Sequence, residues 1–284
     1  MATLYVVSTP IGNLDDLTRR AATVLQKAER VLAEDTRRTR TLLQHLNLTK
    51  TVVSCHAHNE AARTHEVLGW LDAGDDVALV SDAGTPLLSD PGERLVQAVI
   101  GAGHEVVPIP GVSAVTAALS ASGLPATPFA FLGFVPRKGR ERERFLERIA
   151  VSEETVVVFE APGRLVRLLD DLVDSCGEGR RVAVARELTK IHEEFLRGTL
   201  SEARGYYSER GVRGEVTLVI GPAQTSSAAN TVDRAAGRAL ARALLASGTS
   251  PSHAAREVAK RLGVARNEAY ALVQEEVGDE SVEG

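Results

Sequence analysis

The stretch Ser81-Asp-Ala-Gly-Thr-Pro-Leu-Leu-Ser-Asp-Pro-Gly92 decides how the first half of this chain folds. An apolar run, Val77–Val80, precedes it and predicts a short buried strand. Gly84 and Pro86 end that strand, and a helical pattern follows over Glu93–Ile100. In α/β sheets, ligands bind at loops that leave the carboxyl ends of strands. The stretch is therefore either an ordinary strand-turn-helix connection or a ligand loop.

The side chains of this loop fit both interpretations. Asp82 supplies hydrogen-bond acceptors, Gly84 allows a ligand to approach the backbone closely, and Asp90 is placed to cap the helix that follows. The loop matches neither the G-x-G-x-x-G pattern of dinucleotide sites nor the G-x-x-x-x-G-K-[ST] pattern of triphosphate sites. The loop by itself therefore does not identify a ligand.

Two more strands end in loops of the same kind. The predicted strand Leu4–Val7 ends at Ser8-Thr-Pro-Ile-Gly-Asn13, and the predicted strand Glu105–Val107 ends at Ile109-Pro-Gly-Val-Ser113. Strand-helix units repeat throughout residues 1–122, which is typical of a mainly parallel sheet with a ligand-binding edge. We assign these residues to an N-terminal α/β domain whose three Pro/Gly loops share one edge.

The remaining elements of this domain follow from periodicity and caps. The predicted strands are Val31–Ala33 and Thr51–Ser54. The predicted helices run from Asp15 or Asp16 to about Lys27, from after Arg37 to about His45, over Asn59–Leu71, and from after Ser113 to about Ala121.

The second half of the chain has a different organisation. Residues 123–128 read as a linker, and strands then outnumber helices, which predicts a mixed sheet in a second α/β domain over residues 123–224. The predicted strands are Phe129–Leu132, Thr155–Phe159, Val182–Ala185, Glu193–Arg197 and Glu215–Ile220, and the predicted helices are Arg140–Ile149 and Gly163–Val173. A small polar linker leads to a helical C-terminal region, residues 231–284, with helices near 232–245, 251–262 and 265–273.

Composition excludes several classes of protein. The net charge of the 284 residues is −5, so nucleic-acid binding would require local basic patches. The longest apolar runs are too short to span a membrane, and the first residues carry no basic segment of the kind that begins a signal peptide. The two cysteines, Cys55 and Cys176, form no disulfide framework. We expect a cytoplasmic protein without a membrane partner.

Neither a metal site nor a hydrolase triad is indicated. Cys55-His-Ala-His58 and His65 have metal-ligand side chains, but no second Cys/His pair follows at the spacing of a zinc finger. No G-x-S-x-G nucleophile elbow is present. We therefore expect no metal.

Two charged clusters each follow a predicted strand. In Glu34-Asp-Thr-Arg37, Asp35 or Thr36 is suited to cap the next helix, and acidic groups are favoured there by the helix dipole. In Arg186-Glu-Leu-Thr-Lys190, the simplest expectation is an ion pair between Arg186 and Glu187. Either cluster is also suited to a functional site.

The C-terminal region is locally basic. Residues 231–270 contain seven basic and three acidic residues, a local charge of +4 in an acidic protein. The basic positions are Arg234, Arg238 and Arg242 on one helix face, and Arg256, Lys260, Arg261 and Arg266 around Gly263. Two interpretations stay open: a module that contacts RNA phosphates, or a helical bundle for dimerisation or capping.

Taken together, these motifs carry a family resemblance. The chain resembles the small-subunit ribosomal RNA (cytidine-2′-O)-methyltransferases, a branch of the tetrapyrrole methylases, over residues 3 to about 222. The matching segments are Ser8–Ala21, Ala33–Arg37, His58–Glu60, Ser81–Gly92, Ile109–Ala114, Phe131–Pro136, Arg186–Lys190 and Gly214–Glu215. One segment departs from the family pattern, since Phe159-Glu-Ala-Pro-Gly-Arg164 stands where Tyr-Glu-Ser-x-His-Arg is expected. No role can therefore be assigned to a Ser or His at that point.

The resemblance implies a fold, a cofactor and a reaction. The fold would be a two-domain tetrapyrrole-methylase-like α/β fold, usually homodimeric, with S-adenosyl-L-methionine in the cleft between the domains. The reaction would be methyl transfer to a ribose hydroxyl of small-subunit ribosomal RNA, free or in the assembled subunit. The alternatives are a methylase of tetrapyrroles or other small molecules, and a ribosome-assembly factor without enzymatic activity. The glutamate-containing cluster at Glu34 and the basic C-terminal region favour the RNA branch.

The resemblance also implies site residues. The expected cofactor-binding residues are Pro10, Gly12, Asp82, Ala83, Gly84, Pro110, Gly111, Ser113, Ala114 and Leu188. The catalytic candidates are Glu34, Asp35, Arg37, Glu187 and Lys190. In this scheme, Arg37 and Lys190 hold phosphates, and Asp35 or Glu187 takes the hydroxyl proton.

Overall fold

The computed structural model describes residues 2–223, 234–262 and 269–274. The chain divides into two units, residues 1–223 and 224–284. The first unit contains two five-stranded sheets, one built from residues 3–109 and one from residues 129–220. Both sheets belong to one unit, so the domain boundary expected between residues 122 and 123 stays a prediction.

The first sheet is entirely parallel, in the order β3-β2-β4-β1-β5. Its strands are β1 Thr3–Val7, β2 Arg30–Ala33, β3 Thr51–Ser54, β4 Val77–Val80 and β5 Glu105–Ile109, and its helices are α1 Arg19–Lys27, α2 Thr36–His45, α3 Glu60–Asp72, α4 Glu93–Gly101 and α5 Ala114–Ala121. Because β4, β1 and β5 are neighbours, the three Pro/Gly loops leave adjacent strands at one edge. This confirms the parallel sheet predicted from the repeated strand-helix units.

Strand β4 shows why the sheet forms. All four of its residues are buried, and they alternate between two apolar clusters. Val77 and Leu79 belong to one cluster, whereas Ala78 and Val80 belong to the other. A parallel strand covered on both faces needs a continuous apolar run, and Val77–Val80 supplies it. The loop Ser81–Gly92 therefore begins at the end of a fully buried strand.

The second sheet is mixed, as predicted, in the order β6-β7-β10-β8-β9. Strands β6 and β7 are parallel and the other neighbours are antiparallel. Its strands are β6 Phe129–Phe134, β7 Thr155–Glu160, β8 Arg181–Arg186, β9 Glu194–Thr199 and β10 Val216–Ile220, and its helices are α6 Gly139–Ala150, α7 Leu165–Cys176 and α8 Leu200–Ser208. Helix α5 packs on this sheet through Val115 and Ala118, which share a buried cluster with Val157 and Val219.

Three element predictions were wrong in detail. Helix α1 begins at Arg19, because Thr18 caps it by accepting a hydrogen bond from the Ala21 amide, and Leu14–Asp16 forms a separate 3₁₀ turn. The helix predicted from Gly163 is a 3₁₀ turn, Pro162–Arg164, followed by α7. Helix α4 is preceded by Gly92, with no side-chain cap, so Asp90 does not cap it.

Helix α8 was missed altogether. Its signal is local, since Thr199 and Glu202 form a capping box in which each side chain bonds the other residue's backbone amide. The preceding strand, β9, runs to Thr199, so the same residue ends the strand and caps the helix.

A buried arginine ties α6 to the second sheet. Arg180 is 5% exposed, and its guanidinium donates to the carbonyl of Gly221 at 2.6 Å and to that of Ile149 at 3.1 Å. It also donates to the carbonyls of Ala150 and Ser152. The arginine thus satisfies carbonyls at the C-terminal end of α6, which have no partner within the helix. Burial lowers the pKa of its guanidinium.

The second unit is helical where it is described. Helices α9 Arg234–Ala246 and α10 Pro251–Leu262 pack through small residues such as Ala241 and Ala254, and residues 269–274 are also helical. Arg256 is exposed and Arg261 pairs with Glu257 at 3.2 Å. The predicted turn at Gly263 and the basic residue Arg266 lie outside the described residues. Within the described ranges, no helix combines the length and apolar character needed to cross a bilayer.

Candidate active site

The three Pro/Gly loops are bonded into one assembly at the carboxyl edge of the first sheet. Thr9 and Gly84 exchange backbone hydrogen bonds of 2.8 and 2.9 Å. The hydroxyls of Ser8 and Thr85 lie 3.0 Å apart, and Thr85 also reaches the Val112 carbonyl at 3.4 Å. Each loop therefore contacts the other two, and the edge forms a pre-organised surface rather than three independent turns.

Glycine is required at two points of this assembly. Gly84 has φ +76°, and a Cβ there would lie 3.3 Å from the Cγ2 atom of Ile11. At Gly111, a Cβ would lie 2.7 Å from the Cβ of Ser8. The close approach at Gly111 is between two loops of the protein, so its glycine is explained without a ligand.

A cavity of about 410 Å³ opens beside these loops. Both sheets contribute to it: the first through residues after β2, β4 and β5, and the second through β6, the end of β7, Leu188 and the start of β10. The lining residues are Ile11, Glu34, Arg38, Asp82, Ala83, Gly84, Thr85, Leu88, Ser89, Asp90, Ser113, Ala114, Val115, Phe134, Phe159, Glu160, Ala161, Pro162, Leu188, Gly214, Glu215, Val216 and Thr217. The cavity thus combines apolar and aromatic walls with several acids and one arginine.

The cavity gathers about half of the predicted site residues. Those that line it are Glu34, Asp82, Ala83, Gly84, Ser113, Ala114 and Leu188. Those that do not are Pro10, Gly12, Asp35, Arg37, Pro110, Gly111, Glu187 and Lys190. Gly12 instead packs so closely against Lys190 that an added Cβ would overlap its side chain. This contact links the first Pro/Gly loop to the loop after β8.

Asp35 caps α2, as the structural interpretation of its charged cluster predicted. Its carboxylate accepts a 2.8 Å hydrogen bond from the Arg37 amide and pairs with the Arg37 guanidinium at 2.7 Å. The hydrogen bonds from Arg37 lower the pKa of Asp35 to about 2. A carboxylate with so low a pKa is a weak proton acceptor.

The ion pair expected between Arg186 and Glu187 is not formed. Arg186 pairs with Glu194 at 2.9 Å, whereas Glu187 binds the ammonium of Lys190 at 2.7 Å and accepts from the Glu215 amide at 3.0 Å. The hydrogen bond from Lys190 lowers the pKa of Glu187. The geometry departs from expectation because Arg186 lies opposite Glu194 on the neighbouring strand β9, while Glu187 bonds within its own loop to Lys190 and across to the Glu215 amide before β10.

Glu34 and Asp90 differ electrostatically from Asp35. Burial raises the pKa of both carboxyl groups, and the negative charge of Asp82 raises each further. Asp82 itself accepts a 2.8 Å hydrogen bond from the Asp35 amide and lies 3.7 Å from the Arg38 guanidinium. The cavity therefore contains carboxylates that bind protons more readily than ordinary surface acids.

Similarity to known proteins identifies the family of this chain. Residues 3–204 match the tetrapyrrole (corrin/porphyrin) methylases. The chain belongs to the tetrapyrrole methylase family. It is 46% identical to ribosomal RNA small subunit methyltransferase I of Synechocystis sp., over 96% of this chain and 97% of that protein. It is 44% identical to the protein of the same name from Thermotoga maritima, over 78% of this chain and 98% of that protein.

Solved structures of this methylase family share the fold. The methyltransferase CobJ superposes with a TM-score of 0.60 at 21% identity, covering 81% of this chain and 98% of that one. Uroporphyrin-III C-methyltransferase from Thermus thermophilus gives a TM-score of 0.57 at 23% identity, covering 78% and 94%. The fold class and family resemblance drawn from the sequence are confirmed.

Several lining residues of this methylase were not singled out from its sequence. Arg38, and not Arg37, is the arginine of the cavity, although it sits one position beyond the motif that carried the resemblance. Phe134 and Phe159 form an aromatic wall, with ring centroids 5.4 Å apart. Residues 214–217 line the cavity from the second sheet. Phe134 and residues 214–215 fall within the segments Phe131–Pro136 and Gly214–Glu215, which carried the family resemblance but had been given no role.

The departing segment of the methylase, Phe159–Arg164, also lines the cavity. The side chain of Glu160 is fully buried, forms an ion pair with Arg164 and accepts from the Ala161 amide at 2.7 Å. Ala161 and Pro162 provide apolar surface where the family pattern has a polar residue. Among the described residues, no group of three or more His, Cys, Asp or Glu side chains is arranged to hold a metal ion.

Proposed function

We propose that this chain is an S-adenosyl-L-methionine-dependent methyltransferase that methylates the 2′-hydroxyl of a cytidine in small-subunit ribosomal RNA. The observation that carries the proposal is the 46% identity, over nearly the full length of both chains, to a ribosomal RNA small subunit methyltransferase I. The cavity at the carboxyl edge of the parallel sheet supports it, because that edge is where α/β folds bind their ligands.

The residues of the cavity fit S-adenosyl-L-methionine. A volume of about 410 Å³ lies in the range of small-molecule sites. Ala83, Gly84 and Ala114 leave room for the ligand near the backbone, and Leu188, Val115 and Phe159 offer apolar surface to an adenosine. The acids of the cavity suit a ligand that carries a sulfonium and an ammonium group. When bound, the cofactor supplies an electrophilic methyl group on sulfur.

The chain's own groups would then orient the acceptor and take its proton. A ribose hydroxyl that accepts the methyl group would lose its proton, and that proton would need an acceptor among the chain's own groups. We assign this role to Glu34, because it lines the cavity and has a raised pKa, in preference to Asp35 and Glu187. Arg38 replaces Arg37 as the cation available to an RNA phosphate, because Arg38 lines the cavity and Arg37 does not.

The remaining roles are structural in this proposal. Asp35 fixes the start of α2, so that Glu34 and Arg38 are held on either side of it. Lys190, paired with Glu187 and Glu215, stabilises the loop that presents Leu188 to the cavity. We further propose a cytoplasmic homodimer, and a C-terminal region, residues 231–284, that contacts ribosomal RNA phosphates through its basic side chains.

The test is transfer of a labelled methyl group. The protein is incubated with methyl-labelled S-adenosylmethionine and small ribosomal subunits from a strain lacking the corresponding enzyme, and the label is mapped by nuclease digestion. We expect one labelled 2′-O-methylcytidine. Subunits from the parent strain, in which that position is already methylated, are the matched control and should accept no label.

Other outcomes would identify the alternatives. Cofactor binding without label in subunits or in naked ribosomal RNA would favour an assembly factor. Label in a tetrapyrrole added as acceptor, and none in RNA, would favour a small-molecule methylase. Label on a base instead of a ribose would refute the 2′-O assignment while leaving the methyltransferase intact.

A further inference from the structure

An exposed aromatic ring stands at the mouth of the cavity. Phe134, the last residue of β6, lines the cavity and is 57% exposed. Leu88, from the loop after β4, also lines the cavity and is 43% exposed. A single exposed apolar side chain is common on protein surfaces. Here two such side chains line one cavity, one at the end of a strand of the second sheet and one in a loop that leaves the first sheet.

A β-bulge holds the ring in place. Phe131 on β6 pairs with Val157 on β7, but Phe134 pairs with Phe159, so three steps on β6 match two steps on β7. As a result, Phe131 and Phe134 both contact the Phe159 ring, at centroid distances of 4.9 and 5.4 Å. Residues three apart in a regular strand face opposite sides of the sheet. The bulge therefore redirects Phe134 to the side where Phe131 lies.

The bulge depends on glycine. Gly133 has φ +73°, a conformation that other residues adopt only with strain, and a Cβ there would lie 3.2 Å from the Ser89 hydroxyl oxygen. A bulge that served core packing would bury the ring it redirects. Here the ring is supported from behind by Phe159, while more than half of its surface stays open to solvent. The local geometry is that of a supported, accessible aromatic platform.

We propose that Phe134 is the platform on which the base of the methyl-accepting nucleotide stacks. The inference rests on the proposed function, which brings an RNA nucleotide to this cavity. Proteins recognise unpaired RNA bases by stacking them on aromatic side chains. A base on Phe134 at the mouth would leave its ribose pointing to the interior, towards Glu34 and the Pro/Gly loops. The other planar base available, the adenine of the cofactor, is distinguished by the experiment.

The experiment compares Phe134→Leu with wild type in two measurements. The first is the KM for unmethylated small subunits in steady-state methylation. The second is the Kd for S-adenosylhomocysteine, measured by calorimetry. Loss of base stacking on one aromatic side chain weakens binding by roughly 5- to 150-fold, so we expect a rise of about tenfold or more in the subunit KM. The Kd for S-adenosylhomocysteine should stay unchanged. The Phe134→Tyr variant, which keeps an aromatic ring at this position, should have the wild-type KM for subunits.

Phe129→Leu is the matched control. Phe129 lies on the same strand and is 40% exposed, but it does not line the cavity. This variant should keep the wild-type KM. Equal melting temperatures of the two leucine variants would show that the difference is not one of folding.

Three results would overturn the inference. A raised Kd for S-adenosylhomocysteine with an unchanged subunit KM would mean that the ring stacks the cofactor's adenine. Wild-type values for both constants would mean that the ring only packs against Phe159. A wild-type protein that transfers no methyl group to subunits would refute the proposed function and this inference with it, whereas the first two results leave the proposed function standing.

Discussion

Glu34→Gln tests the assignment of the proton acceptor. The substitution keeps the size of the side chain and removes its ability to accept a proton. General-base catalysis contributes about 10²- to 10⁴-fold, and a ribose hydroxyl is far less acidic than a carboxylic acid, which favours the lower end. We expect the single-turnover methylation rate to fall about 10²-fold, equivalent to about 2.7 kcal/mol of activation free energy.

The pH dependence provides a second signature. Burial, Asp82 and Asp90 raise the pKa of Glu34, and the base must be deprotonated to act. The wild-type rate should therefore be constant at high pH and fall as the pH drops through this raised pKa, above the value of about 4.3 usual for glutamate. The Glu34→Gln variant should lose this limb of the profile. Rates are measured by rapid quench with labelled cofactor and saturating subunits.

Asp35→Asn is the matched control, because it changes the neighbouring carboxylate. Asparagine still caps a helix, so the melting temperature should stay near that of wild type. The hydrogen bonds from Arg37 hold the pKa of Asp35 at about 2, and we expect its variant to keep both the rate and the acid limb. If Asp35→Asn loses the rate and Glu34→Gln keeps it, the base is Asp35. If both keep it, alignment of the acceptor supplies the catalysis.

Three further predictions concern the Pro/Gly loop at Gly84, the buried Arg180 and the C-terminal region. Gly84→Val forces a β-branched residue into a backbone conformation with φ +76°, beside Ile11. The free energy of unfolding, measured by urea titration, should therefore fall by about 1–3 kcal/mol. Binding of S-adenosylhomocysteine, measured by calorimetry, should be weaker. Arg180→Met removes the donor to the buried Gly221 carbonyl and one of the donors to the Ile149 carbonyl, so the free energy of unfolding should fall by about 1–3 kcal/mol, whereas the exposed Arg181→Met should change it little. Removal of residues 231–284 should lower RNA affinity and flatten its salt dependence in filter-binding assays, with cofactor affinity unchanged.

Each of these predictions has a result that contradicts it. Unchanged stability and cofactor affinity in Gly84→Val would mean that the loop relaxes without strain and binds nothing. Equal stabilities of the Arg180 and Arg181 variants would mean that water satisfies the carbonyls. An unaltered salt slope after removal of residues 231–284 would leave that region without a role in phosphate binding.

Much of the first sheet could be predicted from local sequence. The strand Val77–Val80 and the strand Thr51–Ser54 have the predicted bounds, because each contains a short apolar run, and such a run is a signal contained within a few residues. The edge that carries the site followed from the same signals, since parallel strands bring their carboxyl ends together. Local signals were misjudged where two of them overlapped, as at Thr199, which ends β9 and caps α8.

The chemistry within the site depended on contacts that the sequence does not contain. The local sequence indicates that Asp35 can cap a helix, but it does not indicate that Glu34 lines a cavity, because that cavity is completed by the loop that carries Asp82, 47 positions beyond Asp35. Likewise, Glu187 accepts a hydrogen bond from the Glu215 amide because β10 lies beside β8.

Phe134 shows the same difference between what the local sequence predicts and what the pairing of distant strands decides. The sequence predicted a strand over Phe129–Leu132, since aromatic residues favour extended backbone, and in the structure the strand extends to Phe134. Only the register against β7, with its extra residue at Gly133, decided that the last of these rings would face the cavity. Propensity is a property of neighbouring residues, whereas the direction of a side chain is fixed by pairing between strands that are far apart in the chain.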